Sequence, residues 1–364
     1  MLYRILIYLL LSLSLLNCVP QSDPQPTRIK LPLPKSYIIN TSISEINIDG
    51  VATEEAWAHA EWTDYFIDIE GEKKPTPYFD TRVKMLWDDK FMYFYTEMQE
   101  SHIWGNLTDH DAVIFYNNDF EIFIKPNEVQ PTYVEFEINA LGTLWDLLLV
   151  RPYRRNGPVF NEWDINDTQI GIHYNGTLND PSNVDESWSI EIAIPIDPIR
   201  SIDRGSEIRH GSYWRINFSR VQWLHDVKDG IYDRKKDSTG NYLPENNWVW
   251  SEQSAIAMHR PEHWGYLYFN SHKDREIHKI AHEEMVQYQF FFYLYRMQLE
   301  FFNLNKRFGS INDFFKPHER YFLVNGVQLT ATFNNIDSGF EIMVDGLEVE
   351  ALVINQDGYI NTLK

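Results

Sequence analysis

His259, Glu262 and His263 repeat the H-x-x-E-H spacing in which two imidazoles and a carboxylate on one helical face bind zinc and activate water. Pro261 lies between them. It removes a helical hydrogen bond and drives its predecessor toward extended backbone, so the three side chains are not expected to share a face. The chain holds no G-x-S-x-G elbow, Walker loop or strand-borne G-x-G-x-x-G, which removes the common motif routes to hydrolase, NTPase and dinucleotide chemistry. Acids are abundant, with 53 Asp and Glu against 32 Lys and Arg, so paired carboxylates are individually uninformative. One pair says more. Asp119 and Glu121 stand two apart in an alternating apolar stretch, which puts both on one face of a strand. That face is either a binding surface or a plain solvated one.

A second chemical signal is at the N-terminus. Cys18 is the only cysteine, and it follows Arg4 and an apolar run that is unbroken from Ile5 to Leu10 and continues with interspersed Ser to Leu16. Such a run is a signal-peptide core, too short to span a membrane. Leu15-Leu16-Asn17-Cys18 resembles a lipobox, whose cysteine is acylated, although Asn17 replaces the usual small residue. The expectation is an exported, membrane-anchored lipoprotein of a bacterial cell envelope, lipidated at Cys18, with plain secretion or an uncleaved anchor as the alternatives. With that thiol on lipid, no disulfide or thiolate metal site remains. The net charge of −21 argues against a nucleic-acid backbone as partner and is compatible with a neutral ligand.

The elements that must position the acidic pair are strands. Residues 1–18 read as the signal, and 19–35, rich in Pro, Ser and Gln, as a flexible tether. Period-two alternation then recurs at 83–87, 91–97, 120–124, 133–139, 143–149, 188–194, 213–220 and 264–269. The helical stretches between are too short for βαβ crossovers. The fold expected for 36–270 is therefore mainly β, an antiparallel β-sandwich of jelly-roll type. Its long connections, 151–167, 175–186 and 224–244, are where a ligand surface can vary. Residues 271–364 change period: a long helix over 275–304 precedes a small antiparallel sheet whose turns carry Asn325-Gly326, Asp345-Gly346 and Asp357-Gly358. This unit is expected to brace the sandwich; its order also matches pilin-like helix-then-sheet units, with no motif in support.

Several motifs occur together in order. Ile48-Asp49-Gly50 with Ala56-Trp57, the run from Val83 through Trp87-Asp88-Asp89-Lys90 to Tyr93, and Asn118-Asp119-Phe120-Glu121-Ile122-Phe123-Ile124 resemble the family 9 carbohydrate-binding modules. The later segments 188–195, 214–219, Trp250 and Trp264-Gly265-Tyr266-Leu267 continue the match, which covers 46–269. The tract from Trp145 to Arg154 is similar to the larger, lipoprotein-borne members. The resemblance implies a sandwich that binds a saccharide without catalysis, with no cofactor required beyond a structural calcium. Acidic turns at Asp49, Asp88 and Asp89 could supply hard oxygen ligands for that ion.

Carried over by position, the resemblance assigns hydroxyl-binding roles to Glu121 and Asn139, one stacking position to Phe115 or Tyr116, and the other to Met258, where the family has Trp. Glu137 falls where an Arg is expected. Replacement rings would come from nearby loops, with Trp104, Trp145 and Trp163 best placed. The partners implied are a saccharide, a lipid anchor, and hydrolases or transporters beside which glycan is captured. Two other readings stand. One is a glycoside hydrolase or an accessory subunit of one, and the other is a scaffold that has lost sugar binding, which the departures at Met258 and Glu137 favour.

Overall fold

The computed structural model describes residues 26–153, 157–202, 207–271, 275–316, 319, 321–336, 339–346 and 349–362. The signal segment and Cys18 lie outside the described residues. The expected strands appear as Thr81–Trp87, Phe91–Gln99, Asp119–Lys125, Tyr133–Asn139, Leu144–Leu149, Ser187–Pro195, Tyr213–Gln222 and Gly265–Asn270. All belong to one sheet, joined by Gln169–Asn175 at one edge, Val159–Phe160 at the other and Ser36–Thr41 in the middle. The sheet curls until its halves face each other, so that Phe94 from one half meets Phe218 from the other with ring centroids 5.9 Å apart. Val83, Met85, Ile122, Phe136, Ile192 and Ile216 are fully buried between them. Each such side chain contributes about 1.5–3 kcal/mol by leaving water.

Within this sheet, among the described residues, pairing is antiparallel except at Ser36–Thr41, which runs parallel to both of its neighbours. The shared Asp49-Gly50 and Trp57 motif has a structural cause. Glu191, inside a strand, accepts the Asp49 and Gly50 backbone N–H on one oxygen and the Trp57 indole N–H, at 2.7 Å, on the other. Gly50 has φ of +91°, and a Cβ there would lie 2.7 Å from the backbone nitrogen of His173.

The second unit packs Val286, Phe290, Phe291 and Leu294 of the helix His282–Asn305 against a six-stranded sheet. The helix begins later than expected, because Ile280 still donates its N–H to Tyr268 of the sandwich. Part of the expected tether is also structured. Thr27–Ile29 pairs in parallel with Tyr321–Val324, and the Asn325 amide bonds both the N–H and C=O of Leu31. Ile29, Leu31 and Leu33 pack on the second core, an apolar contribution that the Pro and Ser around them conceal in composition.

Candidate functional site

Asp119–Lys125 and Tyr133–Asn139 are buried along their whole length. Phe120, Ile122, Ile124, Val134, Phe136 and Ile138 enter the main core. The opposite face is the floor of a cleft of ≈ 630 Å³. Register sets Glu121 across from Glu137, Phe123 across from Glu135, and Glu137 across from Trp145 on the next strand. Phe115, Tyr153, Met258 and His259 complete the walls. Carboxylate oxygens of Asp119, Glu121 and Glu137 lie within 4.8 Å of one another, close enough to hold a hard cation or to share protons.

Burial raises the pKa of all four carboxyls, and repulsion from nearby acids adds to it, against one hydrogen bond to each that pulls the other way, from Ser219 in the case of Glu121. Glu121 is pushed up to about 7, and Asp119, Glu135 and Glu137 rise well above the usual carboxylate range. Glu137 also accepts the Phe115 backbone N–H at 2.9 Å, and His259 lies 4.0 Å from Glu135. Carboxyls held above their usual range keep the acid form to higher pH. The floor can both donate hydrogen bonds and accept them.

The structure brings Glu121, Phe115, Trp145 and Met258 to this one cleft. It places the other expected ligands elsewhere. Asn139 is fully buried; its amide donates to the Leu107 carbonyl and its oxygen accepts the N–H groups of Leu141 and Thr143, so it holds a turn. Trp104 is not a loop ring open to ligand. It is buried, stacked on Tyr232 with centroids 6.1 Å apart, in a small core with Val221 and Trp223. Tyr116 is exposed outside the cleft lining, with Arg234 4.5 Å from its ring centre. Trp163 packs against the main core.

Sequence reasoning missed Glu135 and Tyr153. Glu135 was findable, since it alternates with Val134 and Phe136 by the rule that paired Asp119 with Glu121. Tyr153 is 46% exposed and meets His259 edge-on at 4.5 Å, which makes it the accessible ring that Trp104 is not.

Two of the three expected calcium ligands have their oxygens engaged in local turns. Asp88 is committed to its own turn, accepting the N–H of Lys90 and Phe91 and the Tyr93 hydroxyl. Asp49 accepts from Val51 and Asn47. Among the described residues, neither cluster of metal-ligating side chains includes Asp49, Asp88 or Asp89. The H-x-x-E-H residues also separate as expected. Pro261–His263 forms a short 3-10 turn, His259 faces the cleft, and Glu262 pairs with Arg296.

The sequence model described as "Carbohydrate family 9 binding domain-like" matches residues 48–265, more than half of the chain. No curated protein matches it. Among solved structures, a candidate carbohydrate-binding protein from Bacteroides uniformis is similar at 15% identity and TM-score 0.48, over 65% of this chain and 99% of its own. A family 9 carbohydrate-binding module from Caldicellulosiruptor kristjanssonii in complex with glucose is 14% identical, TM-score 0.42, over 66% and 98% of the two chains. A complex with cellotriose from the same organism is 14% identical, TM-score 0.40, over 67% and 99%. The curled sandwich, the order of its motifs and the matched span lead to one assignment: this chain belongs to the carbohydrate family 9 binding domain-like family.

Proposed function

We propose that the domain binds a saccharide without catalysis in the cleft floored by Glu121 and Glu137, as part of an exported lipoprotein that captures glycan beside hydrolases or transporters. One observation carries the reading. Glu121, Glu135 and Glu137 line one cleft with Phe115, Trp145 and Tyr153, Asp119 approaches Glu121 and Glu137 within 4.8 Å, and burial raises the pKa of all four carboxyls. Such an arrangement costs stability, and proteins retain costly polar clusters chiefly where a ligand uses them. Sugar hydroxyls need both donors and acceptors, with a ring face for the C–H side.

The paired acids also resemble the equipment of a glycosidase. There, however, two carboxyls flank the scissile bond, whereas Glu121 and Glu137 lie side by side on adjacent strands of one wall. That placement favours binding.

Titration calorimetry of the full chain against glucose, cellotriose and a panel of mono- and oligosaccharides is expected to find a ligand. Tyr153→Ala should then weaken it by roughly ten-fold through lost ring contact, and Glu121→Gln by roughly ten-fold through the lost charge-assisted bond, a loss of about 1.4 kcal/mol each. Both variants should stay folded. Wild type binding nothing on the panel would hand the case to the scaffold reading, and release of reducing sugar would hand it to the hydrolase.

The anchor is tested separately. Cys18→Ala is expected to move the chain out of the membrane fraction; unchanged partition with the leader still attached would sink the lipoprotein assignment.

A further inference from the structure

Behind the cleft wall, three acids converge on one imidazole. His110 Nε2 lies 3.2 Å from Asp164 Oδ1, 3.4 Å from Asp111 Oδ1 and 3.5 Å from Asp146 Oδ1. The four ligand atoms are all within 4.8 Å of one another. They come from separate parts of the chain: Asp146 from the strand Leu144–Leu149, His110 and Asp111 from the loop before Phe115, and Asp164 from the loop after Val159–Phe160. Sequence spacing alone would not join them.

Asp146 distinguishes this group from a solvated acidic patch. Its side chain is 1% exposed. One oxygen accepts the Ile165 N–H at 2.7 Å, which fixes the carboxylate plane, and the other points into the cluster with no hydrogen-bond partner among the described residues. A buried carboxylate oxygen left in that state costs about 1–3 kcal/mol. The charges are unbalanced as well. Even with His110 protonated, three carboxylates face one cation, and Glu162 adds to the negative field at Asp111.

The geometry suits a small divalent ion. A tetrahedral centre with nitrogen and oxygen ligands at about 2.0 Å requires ligand atoms about 3.3 Å apart, and the distances from Nε2 bracket that value. Calcium, which prefers six to eight oxygens at about 2.3–2.6 Å, fits a nitrogen-bearing group of this size less well. The Ile165 N–H on Asp146 is the kind of outer contact that orients a metal-bound carboxylate.

We propose that His110, Asp111, Asp146 and Asp164 form a site for a zinc-like divalent cation. The ion would tie the loop leading to Phe115 onto the strand that carries Trp145, and so brace two walls of the cleft. The site does not depend on sugar binding.

The test uses the full chain in detergent, stripped with EDTA and then titrated with Zn²⁺ or Ca²⁺ while its melting temperature is followed. Zn²⁺ is expected to raise the midpoint by several degrees, since a ligand held only by the folded state must stabilise it. Asp164→Asn, at an exposed position, and His110→Gln should each abolish the rise while melting near wild type in EDTA. Asp146→Asn should abolish it too, although its buried position makes the other two variants the primary readout. No Zn²⁺ shift in wild type overturns the proposal and leaves an imidazolium bridging three acids. A full shift retained in His110→Gln, or a shift with Ca²⁺ alone, overturns it as well.

Discussion

Replacing Arg296 with methionine is expected to destabilise the protein by about 3–5 kcal/mol, the loss typical when one partner of a buried ion pair is removed. Arg296 projects from the helix His282–Asn305 and grips both oxygens of Glu262, at 2.7 and 2.9 Å, where the Glu262 side chain is 1% exposed. Burial alone would raise the Glu262 pKa. The guanidinium outweighs it and holds the carboxyl at about 2. Because this folded value lies below the unfolded one, the pair stabilises the protein above the ordinary carboxylate pKa, and that stability is lost as pH falls from about 4.5 toward 2.

In Arg296→Met the sign should reverse, since an unpaired buried Glu262 is relieved by protonation. Denaturant midpoints at about pH 3, 5 and 7 would show this. Wild type should weaken at the lowest pH, and the variant should weaken least there. Adding Glu262→Gln to the variant should recover much of the loss. An unchanged midpoint for Arg296→Met at neutral pH would mean that this pair does not clamp the helix unit to the sandwich.

The cleft carboxyls predict the opposite pH response over a higher range. Their folded pKa values lie above the unfolded ones, so below about pH 3 they are protonated in both states and do not oppose folding. As pH rises, the unfolded chain gives up protons that the native floor retains, and stability falls. For Glu121, raised from 4.5 to about 7, the loss would reach roughly 3 kcal/mol by neutral pH. Asp119, Glu135 and Glu137, also raised by burial, add to it in the same direction. Melting temperature should therefore drop between about pH 5 and 8. Glu121→Gln should raise it at the upper pH and change it little at the lower, while weakening saccharide binding. That opposition of stability and affinity separates a ligand site from an ordinary structural cluster. A wild-type stability that climbs between those two pH values would count against the protonated floor.

Much of the scaffold was legible in the chain. Period-two alternation located the strands because each has one face against a core, and burial imposes that pattern on the sequence directly. The helix was located by its 3.6-residue period, but its start was misplaced because a backbone hydrogen bond to Tyr268 leaves no trace in local composition. Ser36–Thr41 and Gln169–Asn175 escaped because much of each is exposed or half-buried, so burial imposes little of the alternating pattern on their residues.

Of the site, the sequence by itself determined which acids share a face: Asp119 with Glu121 follows from spacing alone, and Glu135 with Glu137 by the same rule. It also determined the family, since linked motifs survive where single residues drift. Only the tertiary structure decided that the two acidic faces meet on adjacent strands, that Trp104 is core and Tyr153 is open, and that His110 meets Asp146 and Asp164. The physical reason is that periodicity records which side of an element is buried, whereas a site depends on which elements lie next to each other once the sheet has curled, and that is set by contacts between residues far apart in the chain.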